Sequence, residues 1–516
     1  MTNPTGVPPQ QPSGPAPALR PLRDDDTVRR RALLVARIAI ALYLLHLLLN
    51  LLRPKILPNE PVLSLFQKTE IGSLRDSPSA SLNRLLAMPT VVFWAVLAGI
   101  VVGALLQGYV AVTRPRGRQA ARLTWATIIA MVGPFGLLGL SVVVLYPLHA
   151  LACVPGTAFV LVLLHNAQRF ARIPLPMLLA AFAWGALVVF GIGRAYTNLA
   201  FGTFYNHVAK AAGTDPTGLK GASGFLDLLY RTLDGAVLHL YVANALAMAG
   251  GIVLMLLLFR RHVTDAMTGL VLGAAAGLGY SLVDSTLLMK IFGSIGGALM
   301  QSSAGFEYWV RQSIGLLGGQ VTFGALLGAG LALAARARDR RERAGLVVKA
   351  FAIAIGGSAA CEILSGWLSQ LLGSHMETGT AFDTLVVSPA IWLLPQAPFA
   401  VLALLMLRSA RRARAAAANT AVPAEAASGG PAITQAEVPF LVNPSLRFWA
   451  LVTTFRRYGA DRARRLLRLQ SAQLELAAWH LRMRQEGADP ETQEEGPVLR
   501  AKVMRLKSHV DPVVAR

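Results

Sequence analysis

Asp284 and Glu362 are the residues of this chain best suited to do chemistry, because each is a carboxylate set inside a long apolar run. An ionisable side chain in a membrane span costs about 2.5–3.5 kcal/mol on insertion scales, so it faces protein or water and marks a candidate site. Two carboxylates at similar depth on different helices can share a proton, which raises one pKa and leaves the other able to activate a water. That is the chemistry of a hydrolase or of a proton relay. Asn244 and Gln320 fall at comparable depth in their own runs, His239 precedes Asn244 by little more than a turn, and Tyr280 precedes Asp284 by one. These six residues are the candidates for one polar chamber. The plainer reading of each is a helix-to-helix hydrogen bond, with His239 and Gln320 as interhelical donors and Asp284 neutral or paired.

The elements that must position them are membrane helices. Gly269, Gly273, Gly277, Tyr280 and Asp284 recur at spacings of three and four, which stacks them on one helical face. Small residues at that spacing let a second backbone approach closely in lipid, so the face with Asp284 is expected to be a packing seam. Runs of roughly twenty apolar residues occur near 32–52, 91–112, 123–145, 148–165, 175–195, 235–259, 266–289, 311–335, 346–372 and 388–407. The expected fold is therefore all-α, a polytopic membrane bundle of about ten transmembrane helices with a small helical cytoplasmic tail.

Composition agrees with that class. At 54% hydrophobic and 15% charged residues, the 516-residue chain is too apolar for a soluble enzyme of this length. The net charge of +22 lies largely in short Arg-rich loops such as 114–122, 336–343 and 408–414 and in the C-terminal tail, with the loops reading as topology signals. Both termini are expected in the cytoplasm, in a multi-pass protein of the cell membrane. Residues 1–31 read as a disordered cytoplasmic N-terminus, 32–408 as the transmembrane domain, 409–436 as an Ala-rich linker and 437–516 as a basic helical tail. Apolar residues at helical spacing among arginines predict amphipathic helices over about 445–485, lying on anionic lipid or folded as a helical hairpin.

Other chemistry is missing from the sequence. There is no P-loop, no dinucleotide fingerprint and no HExxH pair, and the only cysteines, Cys153 and Cys361, sit in apolar stretches. No metal and no cofactor are expected. The aromatic residues of the basic tail are too few for a nucleic-acid surface, which leaves membrane lipid and a single-span membrane protein as the expected partners.

Several segments resemble the PrsW-like intramembrane proteases. Ile173-Pro174 with Phe182-Ala183-Trp184-Gly185 and Asn198 looks like the family's Pro, aromatic-x-Trp-Gly and Asn segment. Arg260-Arg261 followed by the run Gly269 to Tyr280 is similar to the basic turn and Gly-rich helix, and Tyr280-Ser281-Leu282-Val283-Asp284 occupies the place of the Phe-x-x-x-Glu motif. Gly324 to Leu331 resembles the Gly-rich end of the helix that carries the family's His. The resemblance covers roughly residues 150–485 and implies that Asp284 inherits a catalytic carboxylate's place. It also marks a degenerate member: Asn244 stands where the first Glu of Glu-Glu-x-x-Lys belongs, that window has neither Glu nor Lys, and Gln320 stands for the His. An amide cannot act as a general base.

Three functions are compatible with this pattern. The preferred one is a catalytically impaired relative, a pseudoprotease of the bacterial inner membrane that binds a transmembrane helix or lipid. The second is a live intramembrane protease using Asp284 and Glu362. The third is a proton-coupled transporter built on the same pair.

Overall fold

The computed structural model describes residues 80–113, 118–168, 173–193, 241–257, 265–299, 308–337, 339–373, 382–428, 430–486 and 490–509, with Pro115 and scattered positions between 34 and 48. The expected N-terminal tail, His239, Asn198 and Arg260-Arg261 lie outside the described residues. Within lipid a backbone must satisfy its own hydrogen bonds, so the apolar runs become helices. In chain order these are α1 (Ala80–Thr113), α2 (Arg118–Val132), α3 (Leu137–Leu145), α4 (Pro147–Ala167), α5 (Leu175–Trp184) and α6 (Tyr241–Leu257). They continue as α7 (Ala266–Leu299), α8 (Gly319–Arg336), α9 (Arg340–Phe351), α10 (Gly357–Gly373) and α11 (Ser388–Ala427). Eight helices among the described residues are long and apolar enough to cross a membrane, and α6 is a shorter apolar one. These nine match nine of the ten expected runs, and the remaining run, 32–52, is described only in part.

The bundle is organised around α7, which is buried over most of its membrane length. On one face it runs antiparallel to α8 at backbone contact. A Cβ added to Gly269, Gly273 or Gly277 would overlap the carbonyl oxygens of Gly328, Gly324 and Gln320 in turn, and one added to Gly324 or Gly328 would meet the oxygens of Gly273 and Gly269. On another face, Gly279 sits against the Phe182 carbonyl and Gly185 against that of Ala276, which brings α5 equally close. Lipid supplies no hydrophobic drive for helix pairing, so this close packing is what holds the helices together.

Towards the Arg-rich helix ends the chain is fastened by a buried ion pair. Asp265 caps α7, accepting from the Thr268 amide at 2.8 Å and the Thr268 hydroxyl at 2.9 Å. Arg414 of α11 donates to both carboxylate oxygens, at 2.6 and 2.8 Å, and to Thr268 Oγ1 at 2.9 Å. Burial pushes the Asp265 carboxyl up, but the Arg414 hydrogen bonds and charge, with the Thr268 donors, outweigh it and hold the group below its ordinary value.

The stretch 409–427, expected as part of a linker, is helix. α11 runs on without interruption to Ala427 despite Pro423, because alanine is the best helix former and Ala418, Ala421, Val422 and Ala426 have an apolar face to bury. That face packs on α12 (Val438–Val442), α13 (Pro444–Glu486) and α14 (Pro490–Ser508), around Ile433, Leu476, Ala477 and Val503. Glu425, also on this face, is buried beneath Arg500, which grips it with bonds of 2.7 and 3.0 Å. α13 is broken at Gly459, whose φ of 82° suits glycine, so the expected amphipathic region is two helical pieces.

Two outcomes are expected. Gly273→Ala lowers the thermal midpoint in detergent, by about 1–3 kcal/mol of overpacking, whereas Gly108→Ala, where an added Cβ meets nothing within 4 Å, leaves it unchanged or slightly raised. Because the folded-state pKa of Asp265 is depressed, its contribution is complete above the unfolded carboxylate pKa near 4 and is lost as pH falls through the folded value. A melting series from pH 7 to pH 3 therefore falls more steeply for the native protein than for an Asp265→Asn, Arg414→Gln variant.

Candidate functional site

The register of three helices places the candidate residues. Met248 of α6 has its sulfur where a Cβ on Gly324 would lie 3.1 Å from it, and Tyr241 of α6 donates to Glu362 Oε2 of α10 at 3.1 Å. Gly357 of α10 packs on Phe323 of α8, so Glu362, five residues on, falls near the start of α8. Both anchors make α6 run parallel to α8. Asn244 is one turn before Met248 on the same face, as Gln320 is one turn before Gly324, and Gln320 touches Gly277. Asn244, Gln320 and Gly277 thus share a layer.

Asn244 is 1% exposed, and among the described residues neither its amide nitrogen nor its oxygen has a hydrogen-bond partner. Gln320 is half-buried. Beside it the chain departs from regular helix: a π turn at Val310–Ile314 and a 3-10 turn at Gly315–Leu317 lead into Gly319, with φ of 52°. Such a break leaves main-chain groups without helical partners, and in lipid they need substitutes. Gln396 of α11 supplies one, its Oε1 accepting from the Gly319 amide at 2.7 Å, while the Thr322 hydroxyl donates to the Leu317 carbonyl at 2.6 Å. Gln396 was not among the candidates read from sequence; its only signal there is a lone amide between Pro395 and Pro398 in the last apolar run.

The two carboxylates are held by different tyrosines. Asp284 is half-buried, seven residues or roughly 10 Å further along α7 than Gly277, and takes a long hydrogen bond of 3.4 Å from Tyr280. Tyr280 is itself buried, with its ring 5.9 Å from that of Phe190. Glu362 is exposed and is bonded to Tyr241.

The Trp-Gly pair has a mechanical role. Trp184 donates its indole N–H to the Ala247 carbonyl of α6 at 2.9 Å, over Gly251, where a Cβ would collide with the ring. Gly185 admits the Ala276 carbonyl of α7. One dipeptide thereby locks α5 onto α6 and α7, the helices that carry Asn244 and Asp284.

A family model described as PrsW family intramembrane metalloprotease matches residues 173–394, the interval that runs from α5 into the start of α11 and contains Asn244, Gly277, Asp284, Gln320 and Glu362 but not Gln396. Over that interval the chain is similar to the PrsW family. No curated protein and no solved structure matches the chain. A PrsW metalloprotease implies a metal, and the donor set here does not suit one. Catalytic transition-metal sites are built from imidazole, thiolate and carboxylate, whereas this layer offers the amides of Asn244, Gln320 and Gln396. Among the described residues no three His, Cys, Asp or Glu side chains gather to hold an ion. The arrangement can donate and accept hydrogen bonds, but among the described residues the side chains placed in the Asn244 layer are amides.

Gln396→Leu removes the acceptor for the Gly319 N–H and is expected to cost about 1–3 kcal/mol, read as a lower midpoint of thermal unfolding. Gln396→Glu, which keeps an acceptor oxygen, is expected to recover most of that loss.

Proposed function

We propose that this protein is a non-hydrolytic member of the PrsW family that binds the transmembrane helix of a single-span membrane protein. One observation carries the reading: Asn244, which by the motif resemblance stands where a carboxylate is expected, is a buried amide with neither polar end paired among the described residues. A buried polar group left without partners costs about 1–3 kcal/mol, so its retention is explained if a ligand satisfies it. A peptide backbone locally unwound from its helix offers the matching pair, a carbonyl for the amide N–H and an N–H for the amide oxygen. The irregular chain at Gly315–Gly319 supports the same reading, since non-helical backbone at membrane depth belongs beside a cavity or a protein partner. Without an acid or base at Asn244, positioned proton transfer, worth typically about 10²- to 10⁴-fold, is unavailable there.

A photo-crosslinking amino acid in place of Gln320, introduced into the full-length protein in its native membrane, tests this. The expected product is an adduct with an intact membrane partner, unchanged in size in Asp284→Asn and Glu362→Gln backgrounds. Asn244→Leu is expected to weaken the adduct while raising the stability of the purified protein by about 1 kcal/mol, because an unsatisfied amide is removed. Partner fragments that disappear in Asp284→Asn would instead establish hydrolysis, and failure to form any adduct would sink the binding role.

A further inference from the structure

The first piece of α13, between Pro444 and Gly459, presents an apolar face that the tail's own core does not cover. Phe448, Val452 and Phe455 stand at i, i+4 and i+7, with Trp449 beside them. Phe448, Trp449 and Phe455 are 60%, 59% and 57% exposed, although the second piece of the same helix buries Leu469, Leu476 and Ala477. Three large aromatic side chains on one exposed face are not accounted for by the packing of the tail, whose buried cluster begins on α13 only at Leu469.

The charge around this face identifies what covers it. From Pro444 to Arg468 the chain has seven arginines and one acidic residue, Asp461. Arg456 and Arg457 follow Phe455 directly at the end of this piece and are exposed, and Arg462 lies 5.0 Å over the ring of Tyr458. A basic helix with an aromatic face is the composition that settles into the boundary between headgroups and acyl chains, where Trp and Tyr are also favoured. Reach permits it as well. α11 leaves the apolar region at its Arg-rich stretch, and from Arg414, tied to the foot of α7, only 13 residues or roughly 20 Å of helix lead to Ala427.

We propose that helix 444–458 lies on the bilayer surface and binds anionic lipid headgroups, with Phe448, Trp449, Val452 and Phe455 entering the headgroup boundary and Arg456 and Arg457 engaging lipid phosphates. The tail core then holds α11 against a fixed plane, so lipid charge sets the position of the helix that carries Gln396. This surface is independent of the transmembrane-helix reading, and each survives failure of the other.

The test uses the full-length protein with a spin label on Val452→Cys. The native thiols Cys153 and Cys361 are both buried, which favours selective labelling. In nanodiscs containing phosphatidylglycerol, the label is expected to be accessible to oxygen and shielded from a water-soluble nickel relaxant. In nanodiscs of phosphatidylcholine alone it becomes water-accessible. Replacing Arg456 and Arg457 by Ala removes two surface cations and is expected to reduce the bound population by roughly 30-fold. A label on exposed Ser471 serves as the reference and stays in water throughout. A Val452 label that is equally water-accessible in both lipids, or shielded from both relaxants as in a protein or RNA interface, overturns the proposal.

Discussion

The approach of two backbones along the α7–α8 seam is the constraint on which the rest of this molecule depends. Where soluble helices are driven together by water, helices in lipid gain only from dispersion and polar contacts, and both fall off steeply with distance. Gly269, Gly273 and Gly277 on α7, facing Gly328, Gly324 and Gln320, remove every side chain that would hold the axes apart. Gly279 does the same towards α5. Once these contacts are made, the heights of Gln320, Tyr280 and Asp284 relative to one another follow from helical rise alone.

That geometry builds a polar layer and fills it with amides. In a hydrocarbon environment an amide is cheaper to keep than a charge, and it donates and accepts without changing protonation. Gln396 shows the structural use of this property by taking up the Gly319 N–H where α8 is interrupted. Asn244 shows the other use, an amide with nothing spent on the protein's own structure among the described residues. The two carboxylates lie outside this layer, Glu362 bonded to Tyr241 of α6 and Asp284 to Tyr280 of its own helix.

The region beyond the bilayer is mechanically continuous with this layer. α11 carries Gln396 in its membrane half, Arg414 at the foot of α7 and Glu425 in the tail core, all on one uninterrupted helix. A buried, bidentate Arg–Asp pair is directional, since two parallel hydrogen bonds fix angle as well as distance. The tail core, the foot of α7 and the break beside Gln320 are thus joined through one helix.

Much of this was legible in the amino-acid sequence. Apolar run length and glycine spacing determine an all-α membrane bundle and identify the α7 seam, because lipid leaves helices no alternative and only glycine permits backbone contact. The resemblance of Trp184-Gly185 and of the Gly269 to Asp284 run to the PrsW motifs was likewise readable. The continuation of α11 through 409–427 was not, since an Ala-rich segment reads as a linker until a partner face is present to bury it. Nor was the pairing of Gln396 with Gly319 or of Arg414 with Asp265. These contacts join residues 77 to 149 positions apart, and their existence depends on crossing angles and helix register that local residue patterns do not encode. The sequence by itself determined which groups enter the membrane; tertiary packing alone decided which of them meet.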